Sequence, residues 1–300
     1  MLAAILWSLN GALIKLINQR GTGPDAVTIA FYRSLIAGLF LLPFARGRYH
    51  TLRSEPGSRW KLPIRPAGLL CIVFFAVMTV LFVLANTMTK AASAIILQYT
   101  STFWVFGLSP WLLKEKPTLR DLPVLLLAMI GIGVIFVGGA RTDLAGLAVA
   151  LASGVFYALL TMMIRLLRDS DSAAITVMNN LGSAVLILPA MLLMGQFMVS
   201  GRVALLLVIM GVVQFGIPYY LYSLGLVRVP AYQVALITMV EPVLVPVWTY
   251  LAVGETPPSA TIIGGAIILA ALLLLIVGRR SRLSAPFRRW GGHVQSEPRP

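Results

Sequence analysis

Apolar runs, each close to the length that crosses a bilayer, alternate with short polar breaks along nearly the whole chain. A membrane-spanning helix needs about 20 apolar residues. The pattern predicts such spans at 2–18, 26–44, 67–88, 92–113, 121–139, 144–166, 172–194, 203–223, 230–252 and 259–278. The breaks carry helix-ending chemistry. Gly21-Thr22-Gly23-Pro24 and Pro257-Pro258 read as turns, Lys114-Glu115-Lys116-Pro117 stops a helix, and Asp169-Ser170-Asp171 is polar enough to leave the membrane. The fold class expected is an all-α integral membrane protein of ten transmembrane helices. The first run lacks a basic n-region and carries Lys15, so it reads as a span rather than a cleaved signal peptide, and some residues before it in a longer chain are expected.

The two halves of the pattern resemble each other. Ala30 to Leu35 leading to Leu42-Pro43 matches Thr176 to Leu181 leading to Leu188-Pro189, and Trp7 with Lys15 matches Tyr157 with Arg165. Lys90-Ala91-Ala92 matches Arg228-Val229-Pro230, and Leu113-Lys114-Glu115-Lys116-Pro117 matches Val253-Gly254-Glu255-Thr256-Pro257. Five spans per half is an odd number, so the second copy enters the membrane upside down. Inverted repeats of this kind underlie alternating access in many secondary transporters. The organisation expected is a first five-helix repeat over 1–140, an inverted second repeat over 141–278, and a basic, disordered cytoplasmic tail over 279–300.

Charge fixes the expected orientation. With the N-terminus inside, cytoplasmic loops and tail hold 18 basic residues and the outer loops hold 5: Lys15, Arg20, Lys90, Arg141 and Arg202. Cytoplasmic loops of membrane proteins carry the excess of Lys and Arg, so both termini are expected in the cytoplasm of a cell-membrane protein. The same placement disposes of a nucleic-acid reading of the +14 net charge, because the cations sit in short clusters between apolar runs. Composition agrees: 59% of residues are hydrophobic, 11% are charged and the mean hydropathy is +0.90. Lipid must supply part of the solvent for such a chain.

Taken in order, Leu6-Trp7-Ser8-Leu9-Asn10 with Lys15, Phe31-Tyr32-Arg33 before Leu42-Pro43, Gln98-Tyr99-Thr100-Ser101, Lys114-Glu115, Glu241-Pro242-Val243 and Gly254-Glu255 form a recognisable series. In their order and spacing the chain resembles the drug/metabolite transporter superfamily, in its ten-helix EamA-type branch, over nearly all of residues 1–278. The resemblance implies a carrier, often an exporter, of amino acids, related metabolites or drugs. One departure is Thr102, where the first half of the family often has proline as the second half does at Pro242. The fourth span is therefore expected to be straighter than the ninth.

A charge inside a bilayer is costly, so each one needs a reason. Arg33, near the middle of the second span, is either an anchor for a substrate carboxylate or a structural cation held by neighbouring carbonyls. Glu241, before the kinking Pro242, is either a carboxylate that takes up a proton and couples transport to it, or a neutral structural acid at a hinge. Gln98, Ser101 and Thr102 share a face of the fourth span, and Thr238, Glu241 and Trp248 a face of the ninth. Opposed across the pseudo-twofold axis, these faces make a midplane pocket. Trp7 and Asn10, Asn180 and Ser183, and Asn86, Tyr99, Tyr157, Gln214, Tyr219 and Tyr222 are further substrate-binding candidates, each with helix–helix hydrogen bonding as the plainer role. Lys15 is a charge of structural or coupling type. Gly131-Ile132-Gly133 and Gly264-Gly265 are read as close-packing positions.

An intramembrane enzyme would need paired aspartates, a Ser–His pair or a zinc motif. Asp25, Asp121, Asp143, Asp169 and Asp171 fall in loops, His50 and His293 in a loop and the tail, and Cys71 stands alone, so no catalytic residue, metal or cofactor is expected. A channel's ring of carbonyls or like charges is not evident either. The partners expected are the bilayer, a small-molecule substrate and protons as candidate coupling ion, without nucleic acid. The oligomeric state is left open, a monomer being compatible.

Overall fold

A computed structural model describes residues 1–19, 23–54, 66–115, 122–139, 144–254, 256 and 259–283. The expected turns at Gly21-Thr22 and Pro257-Pro258, Glu255, the Lys116-Pro117 helix stop and the tail beyond 283 lie outside these residues, as do Asp121 and Asp143. The described chain is helical, with no strand among the described residues. In order the helices are α1 (Leu2–Trp7), α2 (Asn10–Asn18), α3 (Ala26–Ser54), α4 (Pro66–Met88), α5 (Ala91–Gln98), α6 (Ser101–Leu112), α7 (Leu122–Gly139) and α8 (Leu144–Leu166). They continue as α9 (Ser172–Met194), α10 (Gly201–Ile209), a π-helical stretch Met210–Gly216, α11 (Ile217–Arg228), α12 (Ala231–Thr238), α13 (Glu241–Val253) and α14 (Ser259–Leu283).

Among the described residues seven helical segments are long and apolar enough to cross a membrane, and three shorter apolar helices accompany them, Leu2–Asn18, Leu122–Val134 and Ile262–Ala271. The side chains sort in the sense opposite to that of a soluble protein. Leu126, Ile130, Leu193 and Ile262 stand exposed, whereas Arg33, Thr79, Asn86, Gln98, Asn179, Gln214 and Glu241 are buried. Lipid on the outside and polar contacts within account for that distribution.

Contacts define the two ends of the bundle. At one, Lys15 donates to the Thr89 carbonyl (3.3 Å), and the Gln196 amide donates to the Thr28 hydroxyl (2.9 Å), so the start of α3 meets the end of α9. At the other, Arg165 at the end of α8 reaches Glu115 and the end of α11. Gly131 of α7 lies where a Cβ would be 2.7 Å from the Gly264 carbonyl of α14, the close packing expected there, while Gly133 faces open space.

Among the described residues the first span breaks at Ser8–Leu9, between α1 and α2; two further breaks fall in the fourth and ninth predicted spans, so the fourth is not the straighter one. α5 gives way to α6 at Tyr99–Thr100, and α12 to α13 at Met239–Val240. At the break in the ninth span, Pro242 has no N–H to offer the Thr238 carbonyl, four residues earlier. The break in the fourth span has no proline. There the turn tightens, with Thr100 N bonding Leu97 O (3.1 Å), Thr102 N bonding Tyr99 O (3.0 Å) and the Thr100 hydroxyl donating back to Leu97 O (2.6 Å). Short-range bonds and threonine back-bonding bend a helix without proline.

Candidate functional site

The breaks in the fourth and ninth spans face each other at the centre of the molecule. The Tyr99 hydroxyl lies 2.7 Å from the Thr238 carbonyl that Pro242 leaves without an amide partner. It lies an equal 2.7 Å from Glu241 Oε2. One phenol thus joins both unwound turns and holds the buried carboxylate.

Beside this junction is a small cavity walled by Trp7, Asn10, Arg33, Met78, Phe82, Gln98, Tyr157, Gln214, Phe215, Tyr219 and Glu241, with a volume of about 20 Å³. That is room for about one water molecule, and every residue that lines it is buried. Arg33 enters from α3, where it is 1% exposed; it donates weakly to Asn10 Oδ1 (3.4 Å) and the Thr79 carbonyl (3.3 Å), and its guanidinium carbon sits 4.3 Å from the centre of the Phe215 ring. No ion pair joins it to Glu241. Arg33 Nε, Trp7 Nε1, the Tyr157 hydroxyl and Gln214 Oε1 are buried with no hydrogen-bond partner. Unpaired buried polar atoms are costly, and here they surround one space. An aromatic wall completes it: Trp7 meets Tyr219 and Tyr222 at 4.8 and 5.0 Å between ring centres, and Tyr157 at 6.3 Å.

Of the candidates read from sequence, Trp7, Asn10, Arg33, Gln98, Tyr157, Gln214, Tyr219 and Glu241 come together here, with Tyr99 behind Glu241. The others sit elsewhere. Ser101 begins α6 beyond the Tyr99–Thr100 break, and the Thr238 hydroxyl bonds its own helix at Ala235 O (2.9 Å). Trp248 donates to the Ser8 hydroxyl (2.8 Å), bracing α13 against the interruption between α1 and α2. Asn180 donates to Thr176 O within α9. Asn86 and Lys15 border a separate cavity of about 430 Å³ at the Lys15 end, along with Asn18 and Asp25. The shared faces expected of spans 4 and 9 assume continuous helices; each helix is interrupted between the paired residues, and Gln98 and Glu241 line the cavity where Ser101 and Thr238 do not.

Sequence reading missed Met78, Phe82 and Phe215. Met78 and Phe82 are one turn apart on α4 and look like any apolar pair. Phe215 is aimed by the π-helical stretch, whose extra residue per turn shifts the facing of the residues after it. Gly211 in that stretch packs where a Cβ would lie 3.1 Å from the Arg33 carbonyl, so the π segment and Arg33 are held close. Among the described residues no group of three or more His, Cys, Asp or Glu side chains is arranged to hold a metal.

Comparison with known proteins gives the arrangement its context. The model of the EamA-like transporter family matches residues 1–137 and 144–277. An uncharacterized transporter of Archaeoglobus fulgidus is 27% identical over 253 residues, 82% of this chain and 84% of that protein. An uncharacterized transporter of Clostridium kluyveri is 23% identical over 279 residues, 88% of this chain and 87% of that one. A solved crystal structure shares the fold with a TM-score of 0.74 at 19% identity, covering 95% of this chain and 96% of its own. With a membrane bundle, a buried polar centre and a family match across both halves, the chain belongs to the EamA-like transporter family, within the drug/metabolite transporter superfamily.

Proposed function

We propose that this transporter is a secondary carrier with ten spans in two inverted five-helix repeats, residues 1–140 and 141–278. It opens the central cavity to each side of a cell membrane in turn and exports amino acids or related small metabolites and drugs. Both termini are cytoplasmic in this reading, as the basic count requires. The observation that carries it is the cavity itself: a buried cation, Arg33, and a buried carboxylate, Glu241, share one small space with an aromatic wall. A zwitterion with an apolar side chain has the matching parts. Its carboxylate suits the Arg33 fork, whose Nε is unpaired, and its ammonium suits Glu241 and Gln214 Oε1. The family match to each half supports a duplicated architecture, and the start of α3 beside the end of α9 supports inversion.

Glu241 is the coupling site in this reading. Tyr99 has one hydroxyl proton and two acceptors at 2.7 Å. A proton on Glu241 would let the carboxyl donate back to the phenol oxygen and satisfy both contacts. Substrate ammonium and proton then compete for one carboxylate, which is the logic of an exchange coupled to a proton gradient.

Counterflow in proteoliposomes tests both parts. Radiolabelled leucine or phenylalanine should exchange saturably, compete with free amino acids, and ignore the amides and N-acetyl derivatives that lack one pole. Unsaturable conductance would instead indicate a channel, and equal competition by the one-pole analogues would remove the zwitterion. Glu241→Gln keeps volume and an oxygen that can accept from the ammonium but loses charge and titration, so exchange should persist at a higher half-saturating leucine concentration while gradient-driven uphill flux disappears. If the two activities survive or fall together, the carboxylate is structural.

A further inference from the structure

The Glu115 end of the molecule carries a polar assembly that the cavity does not explain. Lys114 adopts φ 55°, a left-handed conformation uncommon for a residue with a side chain. The turn it makes lets the Glu115 amide bond back to Ser109 O (3.3 Å) and sends the Glu115 carboxylate across to the second half of the chain. There, Glu115 Oε1 receives Arg165 Nε at 2.5 Å, and Oε2 receives the Ala231 backbone amide at 3.0 Å, at the start of α12. A helix N-terminus has unpaired amides and favours an anion. Arg165 also donates to the Leu226 carbonyl, and to the Val227 carbonyl at 3.1 Å, at the end of α11. One ion pair therefore pins the ends of α6, α8, α11 and α12 together, and both side chains are about nine-tenths buried (9% and 10% exposed).

Between this pair and the cavity lies a second rung. Thr161, one turn before Arg165 on α8, meets the Tyr222 hydroxyl at 2.7 Å, and Tyr222 is one turn before Leu226 on α11. Tyr157, a turn further up α8, is already cavity wall. Eight residues of helix put Arg165 about 12 Å from Tyr157 along the axis. The same two helices are thus tied at two successive levels between the cavity and the surface. The residue that matches Arg165 in the repeat, Lys15, bonds Thr89 O at 3.3 Å beside a cavity of about 430 Å³.

We propose that the Glu115–Arg165 pair is the gate that shuts the central cavity from its end of the membrane, with Thr161–Tyr222 as the inner rung, and that each transport cycle breaks and remakes it. The proposal rests on the carrier reading for its role in flux. Its gating of access does not need the substrate to be known. A partly desolvated pair that exists in one state only biases the equilibrium toward that state by its own interaction energy.

The test uses a Cys71→Ser chain with Gln98→Cys as reporter, in membranes presenting the Glu115 face to a membrane-impermeant maleimide. Glu115→Gln, which keeps the carbonyl for the Ala231 amide and loses the charge, should raise the labelling rate of the reporter by about tenfold or more, as expected for losing an ion pair that favours the closed state. Arg165→Lys, which keeps the charge and loses the fork, should fall between. Unchanged labelling in protein whose size-exclusion profile and helix content match the parent would overturn the gate. In a second arm, Glu115→Cys with Arg165→Cys is bridged by a short reducible dithiol-specific linker. Leucine counterflow should stop when bridged and return on reduction; flux at an undiminished rate through the bridged protein would also overturn it. Should Glu115→Gln fail to fold, Arg165→Lys and the bridge decide. Absence of counterflow in the unbridged parent counts against leucine as substrate alone, and the labelling arm then judges the gate.

Discussion

The Tyr99–Thr100 turn and the Met239–Val240 turn have the same geometry and different chemistry. Each interrupts a helix inside the apolar layer, and each lies 140 positions from the other in the repeat register. Proline at 242 makes one by removing a donor. Threonine at 100 makes the other by occupying an acceptor, and the chain does without a proline at 102. The turns also divide the labour. The proline turn leaves a carbonyl over and supplies the carboxylate; the threonine turn supplies the phenol that meets both. A break in a membrane helix is tolerated only where its freed groups find partners. Here each turn is the partner of the other, so neither can be understood as a local defect.

The largest effect expected from breaking that pairing is at Tyr99. Tyr99→Phe strands the Thr238 carbonyl and removes a hydrogen bond from Glu241, and two buried acceptors at about 1–3 kcal/mol each predict a loss near 3 kcal/mol. Thermal unfolding in detergent should show it as the steepest fall of any single hydroxyl deletion in the core. Pro242→Ala restores an amide that can reach Thr238 O, so the double variant should recover about 1 kcal/mol relative to the sum of the singles. Strict additivity would mean that the phenol is not standing in for the missing amide.

Next in size is Gly154 on α8. A Cβ there would lie 2.9 Å from the Leu97 and Gln98 carbonyls and 2.9 Å from the Thr100 hydroxyl oxygen. Two of those three contacts are backbone, which cannot swing aside. Gly154→Ala should therefore cost about 2 kcal/mol as overpacking, and it should disturb the threonine turn while leaving the proline turn intact. Thiol labelling at Gln98→Cys and at Glu241→Cys separates the two: the first should change and the second should not.

These turns also mark how far the sequence was readable. Apolar length located the helices well: 144–166 and 172–194 coincide with α8 and α9. The second span ran past its predicted end at 44 to Ser54, because hydropathy marks where a helix leaves lipid and says nothing about where its hydrogen bonds stop. Polar residues inside apolar runs were visible by their cost, which is why Arg33, Gln98, Gln214 and Glu241 could be picked out. Met78, Phe82 and Phe215 could not, since an apolar cavity wall and an apolar packing face are spelled alike. Facing was the weakest inference. It assumes an unbroken 3.6-residue period, and the breaks at Ser8–Leu9, Tyr99–Thr100 and Met239–Val240 and a π-helical stretch each reset that period close to the site.

The smallest effect is expected where the two turns can be made more alike. Thr102→Pro installs in the first turn the residue that the second has at the matching position. Thr102 is the second residue of α6, a first-turn site that accepts proline because the amides there lack intrahelical partners. Its hydroxyl is buried without a partner, so removing it strands nothing. What is lost is the 3.0 Å bond from the Thr102 amide to the Tyr99 carbonyl, worth about 0.5–1.5 kcal/mol net. What is gained is a stiffer unfolded chain, about 0.4–1 kcal/mol. The difference is within about 1 kcal/mol of zero on those two figures, and counterflow should be retained. A loss of about 3 kcal/mol or more, well beyond the worth of one hydrogen bond, would show that the threonine turn needs its amide, and that two breaks alike in position are held open by mechanisms that cannot be exchanged.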